Sequence, residues 1–486
     1  MATAIPNNHA SFELSELAAC SGGRIQPVHG SVQVRSVVTD SRAAQAGSLY
    51  VAIKGERHDG HAYLAQAQAA GAAAAVIEAA AQAAAPNGLP VVVVEDTRRA
   101  LGEIGRLHRA RWGKPLVAIT GSAGKTTTKE LTAAALRGVG QNVLATVGNL
   151  NNEIGLPMTL FGLSAEHTVA VVEIGTGGPG EIAWLTHVAE PNAGVVTTVA
   201  LAHVAKLKTL ADVAEEKTAL LKGLPREGTA IYSVDSDELR ARVNTFGARR
   251  VIGFGQAADA QLRLSRCELR ADLSMSVEYK LEGEAAARSF TLNLYGQSAA
   301  VDALAALAVV LGLHGPSALA QAEAGMRSVK PLPGRLSPRT GAQGALIIDD
   351  SYNANPASMA ASLRTLAELS RVRRGQAIAA LGDMAELGSH AQPEHERIGR
   401  LVVELGLSDV FFCGPEMAHA AAVARSEVQA RRAKGPRVHH HADPNAVASE
   451  LMRMLDASSA VLVKGSRALA MERVADALCP DAGGAA

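Results

Sequence analysis

Short apolar runs alternate along this chain with longer stretches whose apolar positions recur every three or four residues, a rhythm that predicts strands separated by helices. Leu14–Cys20 has the spacing of an amphipathic helix, and Val34–Thr39 and Ser48–Ile53 read as short strands. The Ala-rich segment from Ala65 to Ala85 predicts a long helix before a strand at Pro90–Val94. Trp112-Gly-Lys-Pro115 breaks the pattern. Leu116–Thr120 then reads as a strand buried on both faces, with a helix at Lys129–Arg137. Further strands at Thr168–Glu173, Ala193–Val199 and Thr229–Tyr232, with helical stretches between them, predict a doubly wound parallel sheet. Lys330-Pro-Leu-Pro-Gly334 is a second break, followed by strands at Ala345–Asp349, Gln376–Leu381, Asp409–Cys413 and Ala460–Lys464.

Composition narrows the classes of function. A chain of 486 residues is too long for one core and is expected to divide into three domains. Lys plus Arg and Asp plus Glu both number 47, so no overall charge recruits nucleic acid or an acidic membrane. Cys20, Cys267, Cys413 and Cys479 lie far apart without a CxxC spacing, which argues against a zinc site or a disulfide framework and fits a reducing cytoplasm. The first residues lack a basic start followed by an apolar core, so neither an export signal nor a membrane span is expected. Adjacent histidines in His439-His-His441 would point to opposite faces of a strand, which argues against a metal tract.

Chemistry enters where the strand Leu116–Thr120 meets the turn Gly121-Ser-Ala-Gly-Lys-Thr-Thr-Thr128. Unpaired N–H groups at a helix N-terminus attract phosphate, and Gly121 and Gly124 let the backbone, with Ser122 and Ala123, curl around the anion. Lys125 would reach the β- and γ-phosphates, and the hydroxyl of Thr126, next to Thr127, would ligate Mg²⁺. The expected fold class is α/β in three domains. Residues 1–112 form a small α/β unit, 113–330 a P-loop ATPase-like parallel-sheet domain, and 331–486 a Rossmann-like α/β domain.

Several local stretches give the chain a resemblance. The phosphate turn, Gly148-Asn-Leu-Asn-Asn-Glu-Ile-Gly-Leu-Pro157, Glu173-Ile-Gly-Thr-Gly-Gly-Pro-Gly-Glu-Ile182, Asp349-Asp-Ser-Tyr-Asn-Ala-Asn-Pro356, Gly382-Asp-Met-Ala-Glu-Leu-Gly388 and Val463-Lys-Gly-Ser-Arg467 closely resemble the Mur ligases of peptidoglycan synthesis. Thr39-Asp-Ser-Arg42 and Gly47–His61 resemble the uridine-nucleotide-binding domain of that family. The resemblance implies ATP-driven amide formation, through an acyl phosphate, between UDP-N-acetylmuramoyl-tripeptide and D-Ala-D-Ala, in a monomeric cytoplasmic enzyme.

The same resemblance implies roles for single residues. Glu173 and His203 would hold metal near the γ-phosphate, and Lys217 falls where the family carries a lysine carbamylated by CO₂. On its own pattern, Lys217 reads as part of a solvated helix face and Arg335 as an exposed linker residue. By resemblance Arg335 lies near the phosphates, Asp350 binds the ribose, and Ser41, Glu56, Arg57, His58, Asn149 and Asn152 bind the nucleotide-sugar substrate. Asp302 stands where the family usually has an adenine-contacting asparagine, and an ionised aspartate accepts hydrogen bonds without donating. Gly175–Gly180 and Thr198–His203 also depart from the family pattern, which leaves open a related ligase acting on another acid and amine. A catalytically silent nucleotide-binding homologue is the alternative of a different class. Linkers near residues 113 and 331 are expected to hinge the domains around the nucleotide.

Overall fold

The computed structural model describes residues 6–26, 31–55, 57–201, 204–270, 272–431 and 435–479. Three main sheets follow one another along the chain, each built chiefly from parallel strands. The first has the order Arg24–Gln26, Val91–Val94, Ala74–Glu78, Ser48–Val51 and Ser36–Val38, with only the first strand antiparallel. The Ala-rich segment is not one long helix. A helix at Leu64–Ala69 stops before Gly71, whose φ of +104° suits glycine, and Ala74–Glu78 becomes a strand inside the sheet. Burial of Val76 and Ile77 between two neighbouring strands outweighs the helix propensity of the alanines around them.

The second sheet has nine strands. Leu116–Thr120 lies between Ala193–Val196 and Val169–Glu173, so the phosphate turn leaves the carboxyl end of an interior strand. Parallel pairing continues through Thr229–Ser233 and Arg250–Gly255 to Leu262–Leu269, and then Met275–Leu281 and Arg288–Leu292 turn back antiparallel. The expected parallel sheet is thus extended by a meander. Its signal is the alternation Met275-Ser-Val-Glu-Tyr-Lys-Leu281, in which every second side chain is buried. The strand expected to reach Val199 ends at Val196, where the chain leaves the sheet for the cleft.

Helix Gln297–His314 is long and apolar enough to cross a bilayer by composition. Here it packs against helix Lys125–Gly138 and the central sheet, with Ala303 through Val310 fully buried. The third sheet runs Ser337–Thr340, Leu346–Asp350, Ala460–Lys464, Ala377–Gly382, Asp409–Cys413 and Arg437–His441, parallel except for its first strand. On the last strand His439 stacks on Phe411 at 4.2 Å between ring centres, whereas His440 turns the other way, its Nε2 lying 2.9 Å from the Gly414 carbonyl.

The two breaks in the sequence differ in structure. Helix Thr97–Trp112 ends at Gly113 in a left-handed cap and is wedged between the first sheet and helices Gly155–Leu160 and Glu181–Ala189 of the second unit. A Cβ on Gly102 would come within 2.6 Å of the Trp184 ring, and one on Gly105 within 3.0 Å of Pro157. Arg109 donates to the Ala189 and Glu190 carbonyls and to Asn192 Oδ1. The helix before residue 113 already packs on the central unit, so the first break in the sequence lies inside a packed region.

Candidate active site

The phosphate turn begins where Thr120 ends its strand. Gly121 and Gly124 have φ of +151° and +80°, and a Cβ on Gly121 would sit 2.0 Å from Thr197 Oγ1. Gly124 caps helix Lys125–Gly138, which lacks a side-chain cap. The helix starts four residues earlier than Lys129, so Lys125, Thr126 and Thr127 form its first turn. Lys125 Nζ donates to the Gly121 carbonyl at 2.8 Å, arching over the turn. Burial holds this amine below the usual lysine range; Glu173 opposes the shift and Arg335 adds to it.

Thr126 Oγ1 donates to Glu173 Oε2 at 2.7 Å, and Asn151 Nδ2 donates to the other carboxylate oxygen at 2.8 Å. Glu173 is only 2% exposed, so these bonds offset the desolvation of its charge. A buried hydroxyl beside a carboxylate is a donor set suited to a hard divalent cation completed by phosphate oxygens and water. Sequence reasoning passes over Asn151 in favour of its neighbours Asn149 and Asn152, since all three share one motif and spacing alone does not rank them. Asn152 lines the cleft, where its Oδ1 accepts from the Gly155 N–H, and Asn149 is exposed on the same loop.

Lys217 corrects another reading. It is 1% exposed and lies on the inner face of helix Leu210–Lys222, not on a solvated one. Burial, then Lys125, pushes its amine down to about 7, while Glu216, Glu181 and Glu173 work the other way. The adjacent Glu216 accepts from the Gly180 and Ile182 N–H groups at 2.7 and 2.8 Å, closing the N-terminus of helix Glu181–Ala189. His203 and Glu56 lie outside the described residues.

Across from the phosphate turn, the Arg335 guanidinium stacks over the Tyr352 ring at 4.2 Å, so it is a fixed cation of the cleft and not a free linker residue. Asp350 accepts from Lys464 Nζ and Ser362 Oγ, both at 2.6 Å, and from the Leu336 N–H at 3.1 Å. Lys464, absent from the candidates, is Asp350's register partner on the neighbouring strand. Asp302 is 8% exposed and abuts the phosphate turn, where a Cβ on Gly124 would lie 2.4 Å from its Oδ1. Burial pushes its carboxyl up to about 8, partly offset by the Thr128 hydroxyl, so at neutral pH it keeps its proton. A neutral acid both donates and accepts, which removes the expected handicap relative to asparagine.

Together these groups enclose a cleft of about 890 Å³ between the second and third sheets. It brings together Ser122 through Thr127, Asn152, Glu173, Asp302, Arg335 and Asp350. Lys217 lies beneath its floor, and Ser41, Arg57 and His58 lie outside it on the first unit. Ser41 Oγ donates to Gln66 Oε1 at 3.1 Å, and Arg57 and His58 are exposed on a turn. Arg98, also missed, joins that turn to the cleft loop by donating to the Lys54 carbonyl at 2.6 Å and pairing with Glu153.

Known proteins share this arrangement. Residues 33–109 match the Mur ligase family catalytic domain, 119–310 the Mur ligase middle domain, and 334–467 the Mur ligase glutamate ligase domain. UDP-N-acetylmuramoyl-tripeptide–D-alanyl-D-alanine ligase of Escherichia coli K12 is 36% identical over 96% of this chain and 98% of its own. A crystal structure of MurF from Acinetobacter baumannii superposes with a TM-score of 0.83 at 27% identity, covering 97% of this chain and 99% of that one. The MurF ligase of Thermotoga maritima in complex with ADP gives 0.79 at 27% identity, covering 91% and 96%.

Proposed function

This chain belongs to the Mur ligase family, and from that premise we propose that it joins D-Ala-D-Ala to UDP-N-acetylmuramoyl-tripeptide with cleavage of ATP to ADP and phosphate. The observation that carries the reading is the cleft itself. It sets an open phosphate-binding helix end, the Thr126–Glu173 pair and the fixed cation Arg335 around one volume.

The chemistry requires this grouping. A carboxylate is a poor electrophile, so the tripeptide's terminal carboxylate first attacks the γ-phosphorus and ADP leaves, giving an acyl phosphate. The amine of D-Ala-D-Ala then attacks the acyl carbon, and phosphate departs with the bonding pair while the amine gives up a proton. Both steps build negative charge on oxygens, which Lys125, Arg335 and the backbone N–H groups of the phosphate turn stabilise. A polyanion beside Lys125 opposes the downward shift that burial imposes and favours its charged form. Thr126 and Glu173, with His203, would hold Mg²⁺, whose chemistry is to neutralise phosphate charge. Lys217 is the candidate for carbamylation by CO₂, which converts a buried amine into an anionic metal ligand.

Asp350 and Asp302 serve the nucleoside, and Ser41, Glu56, Arg57 and His58 with Asn149 and Asn152 serve the nucleotide-sugar. Residues 1–112, 113–330 and 331–486 divide substrate binding, ATP chemistry, and adenosine and amine contacts among them. The setting is a monomer in the cytoplasm, where ATP is available. Phosphate release with ATP and Mg²⁺, using both substrates together and each alone, tests the reading, with mass spectrometry of the product. Turnover that needs both and yields the pentapeptide is the expected result. Turnover only with another acid and amine would move the chain to a different ligase, and lack of ATP binding would make it a silent homologue.

A further inference from the structure

Ser122 in the phosphate turn uses every polar group it has to hold another segment. Its N–H donates to the Thr198 carbonyl at 2.8 Å, and its Oγ exchanges bonds with the Ala200 carbonyl and N–H at 2.9 and 3.0 Å. Its carbonyl accepts from Asn355 Nδ2 at 3.1 Å, across the seam between the second and third sheets. Asn355 is itself engaged twice. Its Oδ1 accepts from the Ser358 N–H at 2.9 Å, capping helix Pro356–Arg373 in a reciprocal box with the Ser358 hydroxyl. The two bonds fix the amide's orientation, because only one assignment of oxygen and nitrogen satisfies both.

Capping alone does not require asparagine, since aspartate and serine cap a helix equally well. An amide is required only if the second bond matters. A trans peptide is rigid, so holding the Ser122 carbonyl also fixes the direction of the Ala123 N–H on the other edge of that plane. The phosphate turn's backbone is therefore aimed by a residue of the third unit. Asn355 sits at the start of the helix that also carries Ser362, a partner of Asp350, so the latch and the acid on the nucleoside side move as one body.

We propose that Asn355 is a positioning residue that couples docking of the C-terminal unit to the shape of the phosphate turn, so that each favours the other. The coupling is reciprocal: whatever tightens the phosphate turn on a nucleotide also strengthens docking of the C-terminal unit. The proposal rests on the nucleotide-cleft reading above and adds a residue to it.

The two bonds can be separated. Asn355→Asp keeps the cap but sets an oxygen against the Ser122 carbonyl, Asn355→Ser keeps the cap without the reach, and Asn355→Ala loses both. Melting temperature reads the cap, and calorimetric titration of the full-length protein with ADP and Mg²⁺ reads the latch. Asn355→Asp and Asn355→Ser are expected to melt close to wild type yet bind ADP about tenfold more weakly, the scale of one lost hydrogen bond at the upper end of its range. Asn355→Ala is expected to lose both melting temperature and affinity. Wild-type affinity in the two capping variants would overturn the latch. Weak binding only in step with a lower melting temperature across all three would reduce Asn355 to a cap. Absence of ADP binding by wild type would instead sink the cleft reading. Should Asn355→Asp not fold, Asn355→Ser alone decides.

Discussion

The two seams of this molecule are made differently. Between the first and second units, helix Thr97–Trp112 is buried with Leu101 and Ile104 against the first sheet and with glycines 102 and 105 against Trp184 and Pro157, on two helices of the second unit. Between the second and third units there is an apolar patch around Val204, Leu207, Leu269 and Tyr295, but the rest is a polar cleft bridged by single hydrogen bonds such as Asn355 to Ser122 and Ala205 N–H to the Glu386 carbonyl. Close packing resists gradual deformation, whereas a few polar bonds exchange readily with water. The first seam is accordingly a close-packed mount and the second a largely polar surface.

The largest effect expected from breaking this contrast lies beneath the cleft. Lys217→Ala should lower phosphate release by on the order of 100-fold, as loss of a metal-supporting group does, while the protein still melts cooperatively. Full turnover in that variant would remove Lys217 from the mechanism. Next comes the mount: Gly102→Val places a branched side chain where even a Cβ meets Trp184 at 2.6 Å, and should cost about 1–3 kcal/mol by overpacking. Thermal or denaturant unfolding measures it, and an unchanged midpoint would mean that the first seam is looser than its packing implies. The smallest effect is the one that sharpens the view of the cleft. Because Asp302 is pushed up to about 8, the folded protein keeps a proton that the unfolded chain releases, and stability is lost as pH rises from the ordinary carboxyl range to that value. An amide at this position has no proton to lose, so the advantage of Asp302→Asn over wild type in melting temperature should grow between about pH 5 and about pH 8. An advantage independent of pH would show that Asp302 is ionised throughout.

Much of this was legible because local rules and tertiary context agree. The phosphate turn needs strand, glycines and helix within fifteen residues, all of which the sequence shows from Leu116 to Glu130. The strand at Ala74–Glu78 was hidden because alanine favours helices in isolation, and only its place between two strands decides otherwise. Lys217 and Arg335 read as solvated because a polar letter in a helical or linker pattern says nothing about what lies opposite. What they face comes from elsewhere in the chain, the charges of Lys125 and Glu173 for the first and the Tyr352 ring for the second. Asn355 and Lys464 escaped for the same reason, since each gains its role from a partner more than 100 positions away.

Among the described residues four helix N-termini line the cleft, at Lys125, Glu181, Gln297 and Pro356. Glu216 plugs the one at Glu181 with its own carboxylate and Asn355 plugs the one at Pro356, whereas the ends at Lys125 and Gln297 have no side-chain cap. A triphosphate carries several near-equivalent oxyanions and could lodge in more than one register wherever bare N–H groups offer themselves. By stoppering two of its four attractive ends, the protein reduces the registers a sticky cleft offers, so fidelity of placement comes from what is already filled as much as from what is left open.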